Sequence, residues 1–227
     1  MLAVTEGDST IVIDCGGDVA QRLLAAGIGL DTIDGLIVTH EHPDHVAGFP
    51  LFIEKLWLAG RRRSLTIFGI PEAVRQARRC WEVFDTSEWK NVPDLIYVDV
   101  THEERAEVFE DASFEVTASP GVHATPVVGL RVFSKRTGGV MAYSCDTEPC
   151  ENIARLSNRA DLLVHEANGK GRGHSSARQA AEIARDSGAR RLILVHLPLE
   201  MSNGDMEVAR RIFDRIEIGE DLTSYEF

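Results

Sequence analysis

The sequence lacks the features that mark membrane-spanning and secreted proteins. No stretch approaches the ~20 consecutive apolar residues of a membrane span, and residues 1–6 have neither the basic nor the apolar region of a signal peptide. Four cysteines in 227 residues are too few for a disulfide scaffold, and none shows Cys-x-x-Cys spacing. These absences argue against a membrane protein and a thiolate zinc site, and they favour a cytoplasmic protein with free thiols.

Positive charge is also scarce. The 24 Lys and Arg residues face 36 Asp and Glu residues, so the formal net charge is −12. A field of that sign repels a polyanion and argues against a nucleic-acid binder that relies on broad phosphate contact. The basic groups at 61–63 and at Arg75, Arg78 and Arg79 are interpreted as solvated helix ends or faces rather than phosphate sites.

The most informative segment is the run His40-Glu41-His42-Pro43-Asp44-His45. Three imidazoles and a carboxylate in one short turn suit zinc, or iron or manganese in the same geometry. Four candidate ligands so close in sequence are hard for one tetrahedral ion to use at once. The spacing therefore predicts two adjacent ions, which later residues complete, and two divalent ions would attract a small anionic substrate.

Periodicity places this run on a strand-to-helix loop and predicts one domain over residues 1–227. The pattern begins with a hairpin at 4–13 and a short helix at 18–26, and the metal run follows a buried strand that ends at Thr39. Residues 106–143 alternate with period two, and helices and strands alternate after them. Two such β-then-α halves predict an α+β fold in which the sheets pack as an αββα four-layer sandwich.

Three further polar residues follow later strands, where additional ligands are expected. His123 follows the strand at 114–118, Asp146 the strand at 140–144, and His196 the strand at 192–195. Each could also be a satisfied polar group at a strand end. His102 lies in a polar stretch without such a context and is predicted to be a surface residue.

The ordered set of these motifs resembles the metallo-β-lactamase superfamily and, within it, the ribonuclease Z-like phosphodiesterases. The resemblance covers nearly the whole chain, from the strand end at 13–16 to His196. It implies that one metal ion is held by His40, His42 and His123 and that the other is held by Asp44, His45 and His196, with Asp146 bridging them. It also implies that Asp14 orients a ligand histidine through its second ring nitrogen.

Two segments narrow the resemblance to the ribonuclease Z-like group. His165-Glu166-Ala167-Asn168 and Gly173-His174-Ser175-Ser176 are similar to that family's His-Glu-Ala-Thr segment and Gly-His-Ser-Thr helix start. The resemblance implies that His174 protonates the leaving oxygen and that Glu166 holds His174 charged and oriented. The alternative for His174 is a place beside the helix cap. For His165, a supporting role and core packing both remain open.

The implied mechanism is two-metal hydrolysis of a phosphodiester. Two divalent ions, Zn²⁺ or alternatively Mn²⁺ or Fe²⁺, would lie ~3.5–4 Å apart and share a hydroxide that attacks phosphorus. Asp44 and Asp146 would fix the hydroxide and the metal spacing, and His174 would be the general acid. Two alternatives stay open: a lactone or thioester hydrolase with the same ions, and a non-catalytic metal-binding scaffold.

The sequence departs from the ribonuclease Z pattern in three places. Asn168 replaces Thr, and the loop from it to His174 is short. The interval between His123 and Asp146 leaves room for one hairpin but not for the family's tRNA-clamping arm. The absence of this arm argues against tRNA 3′ processing and favours a nucleotide or a short RNA as the substrate. The opening strand that usually precedes Glu6-Gly7-Asp8 is missing, so an edge strand is lost or supplied differently. The resemblance also allows a homodimer.

Overall fold

The computed structural model describes residues 1–200 and 202–227. The chain divides into two compact units, Met1–Thr101 and His102–Phe227. Both contain a sheet and helices, so the predicted α+β class is confirmed. The single domain over 1–227 stays a prediction. None of the helices among the described residues is both long enough and apolar enough to cross a bilayer.

The first unit contains a five-stranded sheet in the order β1-β2-β3-β4-β5. Strands β1 and β2 form the predicted antiparallel hairpin, and the remaining neighbours are parallel. The strands are β1 (Leu2–Glu6), β2 (Ser9–Ile13), β3 (Ile33–Val38), β4 (Leu65–Gly69) and β5 (Leu95–Asp99). The helices are α1 (Val19–Ala25), α2 (Pro43–Val46), α3 (Phe49–Leu58) and α4 (Pro71–Glu82), with a 3₁₀ turn at Leu30–Thr32.

Strands β2 and β3 bring the first candidate residues to one edge of this sheet. Both strands are almost entirely buried and end in apolar residues, as expected for strands covered on both faces. Their register pairs Ile13 with Ile37, so the two chains leave the sheet together. Asp14 and Thr39 therefore follow neighbouring carboxyl ends, where α/β proteins place their ligands.

The second unit contains a seven-stranded sheet in the order β12-β11-β10-β9-β8-β7-β6. Strands β6 to β9 are antiparallel neighbours, and β9 to β12 are parallel neighbours. The strands are β6 (Ala106–Glu110), β7 (Phe114–Pro120), β8 (Val128–Ser134), β9 (Val140–Tyr143), β10 (Leu162–Glu166), β11 (Leu192–Val195) and β12 (Ile216–Ile218). The helices are α5 (Glu151–Leu156), α6 (Ala177–Ser187) and α7 (Asn203–Ile212).

Helix α6 begins immediately after the segment that carries His174. Ser176 is its N-cap and forms a capping box with Gln179, which satisfies two of the free backbone donors. Gly188 ends the helix in the left-handed conformation, as the sequence pattern predicts. Its alanine-rich face packs into the apolar core against β10 and β11. Both ends of α6 are therefore fixed by local sequence, and the start of the helix sets where His174 lies.

Two details differ from the sequence prediction. The helix after the metal run is broken in two, because α2 ends at Val46 and α3 begins at Phe49. The predicted helical run therefore contains a break at Ala47-Gly48, and Asp44 and His45 lie within α2. The short strand β12 was not predicted, since its three residues are too few to show a period.

The interpretation of residues 61–63 as a solvated helix end is wrong for Arg61. This side chain is only 2% exposed. Its guanidinium donates hydrogen bonds to backbone carbonyl oxygens of the loops around it: those of Leu30, Ile33, Arg63 and Ser64. A planar guanidinium with five donors can satisfy several carbonyls at once, so Arg61 joins these loops. Arg62 is exposed as predicted, and so are Arg75, Arg78 and Arg79.

Candidate functional site

The four candidate ligands of the first unit lie together on the loop after β3 and on α2. Nε2 of His40 is 3.2 Å from Nδ1 of His42, and the rings of His40 and His45 have centroids 4.0 Å apart. Nε2 of His45 is 3.4 Å from a carboxylate oxygen of Asp44. Metal–nitrogen bonds of 2.0–2.1 Å in a tetrahedral site separate two ligand nitrogens by about 3.3 Å. The donor spacing therefore suits ligands of a metal ion.

Asp14 lies behind these imidazoles and is almost fully buried. One carboxylate oxygen accepts hydrogen bonds from the amide and hydroxyl of Thr39, and the other accepts one of 2.8 Å from Nδ1 of His45. Burial alone would raise the pKa of Asp14, but the charge of His45 and the hydrogen bonds from His45 and Thr39 hold it below its ordinary value. In the neutral ring, the contact with Asp14 places the proton on Nδ1 of His45, so that Nε2 has a lone pair for a metal.

The loop after β2 also contacts the metal run through its backbone. The amide of Cys15 donates to the carbonyl of His45 at 2.6 Å, and the amide of Gly48 donates to the carbonyl of Cys15 at 2.8 Å. A Cβ atom on Gly16 would overlap the carbonyl oxygen of Asp44. Position 16 must therefore be glycine if α2 is to keep this place.

The second unit brings together candidate residues that follow β7, β9, β10 and β11. Nδ1 of His196, after β11, is 2.7 Å from a carboxylate oxygen of Asp146, after β9. The donor atoms of His123, Asp146 and His174 all lie within 4.8 Å of one another. Asp146 is buried, and His174 is partly exposed. Imidazole and carboxylate donors converging in this way suit a divalent cation.

Glu166, at the end of β10, is a fully buried carboxylate with several donors around it. Oε1 accepts a 3.0 Å hydrogen bond from Nδ1 of His174 and further ones from the amides of Thr147 and Ser175. Oε2 accepts one from the amide of Asn168. Burial raises the pKa of Glu166, while the amides of Asn168 and Thr147 and the charge of His174 oppose that rise. This contact fixes the ring of His174, so that Nε2 is the nitrogen left for chemistry.

His123 is held by Gly173, which belongs to the Gly-His-Ser-Ser segment but was not predicted to have a role at the site. Its Nδ1 donates a 2.6 Å hydrogen bond to the carbonyl oxygen of Gly173. The amide of Gly173 in turn donates to Oε1 of Glu148 at 2.8 Å. Neither Gly173 nor Glu148 was predicted as a site residue. The sequence signals are the place of Gly173 in the Gly-His-Ser-Ser segment and the place of Glu148, two residues after Asp146.

The remaining two histidines of the sequence are His165 and His102. His165 is fully buried, its Nδ1 donates to the carbonyl oxygen of Glu166, and burial lowers its pKa to about 4. Its Nε2 has no hydrogen-bond partner among the described residues, and it joins none of the donor groups found there. His102 is exposed, as predicted, and its Nε2 donates to the carbonyl oxygen of Val127.

The chain is similar to a known protein family, to ribonuclease Z enzymes and to solved structures of the metallo-beta-lactamase fold. The model of a family described as a beta-lactamase superfamily domain matches residues 9–197. A ribonuclease Z from Methanothermobacter thermautotrophicus is 28% identical, with 95% of this chain and 86% of the relative covered. Human tRNase Z, short form, has a TM-score of 0.79 at 22% identity and covers 97% of this chain and 89% of its own. The metallo-beta-lactamase fold protein YhfI from Bacillus subtilis also has a TM-score of 0.79, at 20% identity, with 96% and 87% covered.

Proposed function

Because this chain belongs to the β-lactamase superfamily and is ribonuclease Z-like, we propose that it is a metal-dependent hydrolase that cleaves phosphodiester bonds. The metallo-β-lactamase fold read from the motif order is confirmed by the family match and the structural neighbours. The observation that carries the choice of bond is the contact of 3.0 Å between Glu166 and His174. A histidine oriented by a buried carboxylate is suited to general acid catalysis.

The proposed ligand set is the one that the family resemblance implies. His40, His42 and His123 would hold one ion, Asp44, His45 and His196 the other, and Asp146 would bridge them. The support is the donor chemistry, since imidazole nitrogens and carboxylate oxygens suit Zn²⁺ and also accept Mn²⁺ or Fe²⁺. When bound, two such ions supply an activated water at neutral pH and offset the charge of the phosphate.

His174 would deliver the proton to the leaving oxygen. In the protonated ring, Nδ1 donates to Glu166, so the proton on Nε2 is the one available for transfer. The hydrogen bond to Glu166 keeps the orientation of the ring before transfer. Backbone amides of Thr147, Ser175 and Asn168 hold Glu166 itself, so the carboxylate cannot rotate away from His174.

A small anionic substrate fits this chain better than a folded tRNA. The interval between His123 and Asp146 is filled by β8, β9 and the turn that joins them, and this leaves no room for an inserted arm. The net charge of −12 disfavours a long polyanion. We therefore propose a nucleotide or a short RNA as the substrate class.

The test is turnover of a generic activated phosphodiester by protein loaded with zinc and, separately, with manganese. His174→Ala is expected to lower kcat by roughly 10²–10⁴-fold, the usual contribution of a general acid. His102→Ala is the matched control, because that histidine is exposed and its ring donates a hydrogen bond to the carbonyl oxygen of Val127. Glu166→Gln is expected to fall between the two, since it keeps an acceptor oxygen but loses the charge.

Two results would contradict the proposal. If the Asp146→Ala variant retained both ions and the full rate, the proposed bridging role of Asp146 would be refuted. If wild-type protein binds both ions but turns over no phosphodiester, lactones and thioesters become the favoured substrates. These are carboxyl-type substrates of the same metal chemistry.

A further inference from the structure

Glu148 connects two loops that carry candidate site residues in the second unit. Its Oε1 accepts a 2.8 Å hydrogen bond from the amide of Gly173. The carbonyl of the same glycine accepts the 2.6 Å hydrogen bond from Nδ1 of His123. A carboxylate on the loop after β9 therefore holds the residue that fixes His123 and precedes His174.

Thr147 and Glu148 also form hydrogen bonds with Val122, at the start of the loop that carries His123. The amide of Glu148 donates to the carbonyl of Val122 at 2.8 Å, and the hydroxyl of Thr147 accepts from the amide of Val122 at 2.9 Å. These contacts do not involve the carboxylate of Glu148. Substitution of that side chain therefore removes the contact with Gly173 and leaves the hydrogen bonds with Val122 in place.

Position 173 must be occupied by glycine. Its φ of +84° lies in the left-handed region, and a Cβ atom would lie 2.7 Å from Nδ1 of His123. The backbone of Gly173 therefore packs directly against the ring of His123. Small displacements of residue 173 must move that ring and the adjacent His174.

We propose that Glu148 is a positioning residue for the candidate site of the second unit. The catalytic consequence of this role rests on the proposed function. Its carboxylate anchors the amide of Gly173, so that the carbonyl of Gly173 fixes the tautomer and orientation of His123. The same anchor holds His174 within reach of Glu166. An acceptor that fixes the second ring nitrogen of a ligand histidine supports both metal affinity and rate.

The first measurement is hydrogen exchange of residues 169–176 in metal-free protein. We expect faster exchange of the Gly173 amide in Glu148→Ala, and recovery in Glu148→Gln, which keeps an acceptor oxygen. Glu151→Ala is the matched control, because that side chain is 91% exposed and pairs only with Arg155. Unchanged exchange in Glu148→Ala would overturn the proposal whether or not the enzyme turns over a phosphodiester.

The second measurement is steady-state kinetics of the same three variants loaded with zinc. Glu148→Ala is expected to lose roughly 10–100-fold in kcat, with KM little changed and the rate recovered in Glu148→Gln. Equal loss in Glu148→Ala and Glu148→Gln, with normal exchange in both, would refute positioning through Gly173. If wild type is inactive, the proposed function fails, and the exchange result alone still decides whether Glu148 anchors the loop.

Discussion

Nδ1 of His45 donates a hydrogen bond of 2.8 Å to a carboxylate oxygen of Asp14, 31 residues earlier in the chain. The two residues meet because β2 and β3 are parallel neighbours and leave the sheet at the same edge. Asp14 lies at φ +62°, where Asp and Asn are the best tolerated non-glycine residues. The carboxylate thereby sets which nitrogen of His45 faces the proposed metal.

Asp14→Asn is expected to weaken zinc binding by about 10–100-fold, because the amide keeps the backbone conformation but loses the charge that His45 donates to. Affinity is measured by competition with a chromogenic chelator. Asp18→Asn is the control, since this carboxylate caps α1 and pairs with Lys55 at the surface. Equal zinc affinity in Asp14→Asn and wild type would show that Asp14 does not orient His45.

Gly16→Ala is expected to displace α2, because its methyl group would overlap the carbonyl of Asp44. The cost of such overpacking is about 1–3 kcal/mol in unfolding free energy, with weaker zinc binding in addition. Gly17→Ala is the adjacent control, as a Cβ there meets nothing within 4 Å. Urea unfolding and chelator competition on both variants make the test. Equal behaviour of the two would exclude the close contact as a determinant.

Arg61→Met is expected to destabilise the metal-free protein by roughly 2–4 kcal/mol, because it leaves several backbone carbonyls without donors. Arg62→Met, at the exposed neighbouring position, is expected to change stability by less than about 0.5 kcal/mol. Unfolding in urea measures both. A small effect at Arg61 would mean that water replaces the guanidinium at these carbonyls.

His165 is expected to make stability depend on pH. Burial lowers its pKa from 6.5 to about 4, so below pH 6.5 the unfolded chain binds a proton at this ring that the folded chain does not. Stability therefore falls as pH decreases, and the loss is complete below about pH 4. Between about pH 7 and pH 5 the wild type should lose about 2 kcal/mol relative to His165→Leu.

The measurement for His165 is the difference in unfolding free energy between wild type and His165→Leu at each pH, in metal-free protein. Other titrating groups are common to both chains and cancel in this difference. A difference that does not vary with pH would mean that the buried ring has the same pKa in the folded protein as in the unfolded chain.

The sequence by itself determined the metal motif, the order of the later candidate ligands and most of the elements. These signals are local: periodicity marks the strands, and ligand types at strand exits mark the site. The capped start of α6 and its glycine stop were readable for the same reason. Arg61 was misread because a charge run has no local signature for burial.

Only the tertiary structure decided which partners hold the candidate ligands. Asp14 contacts His45 rather than another histidine, and His123 donates to Gly173, 50 residues away. Glu148 became visible only through its contact with Gly173, 25 residues away. Such pairs follow from strand order and loop packing, and no period in the sequence encodes them, because the hydrogen bonds join residues that are distant along the chain.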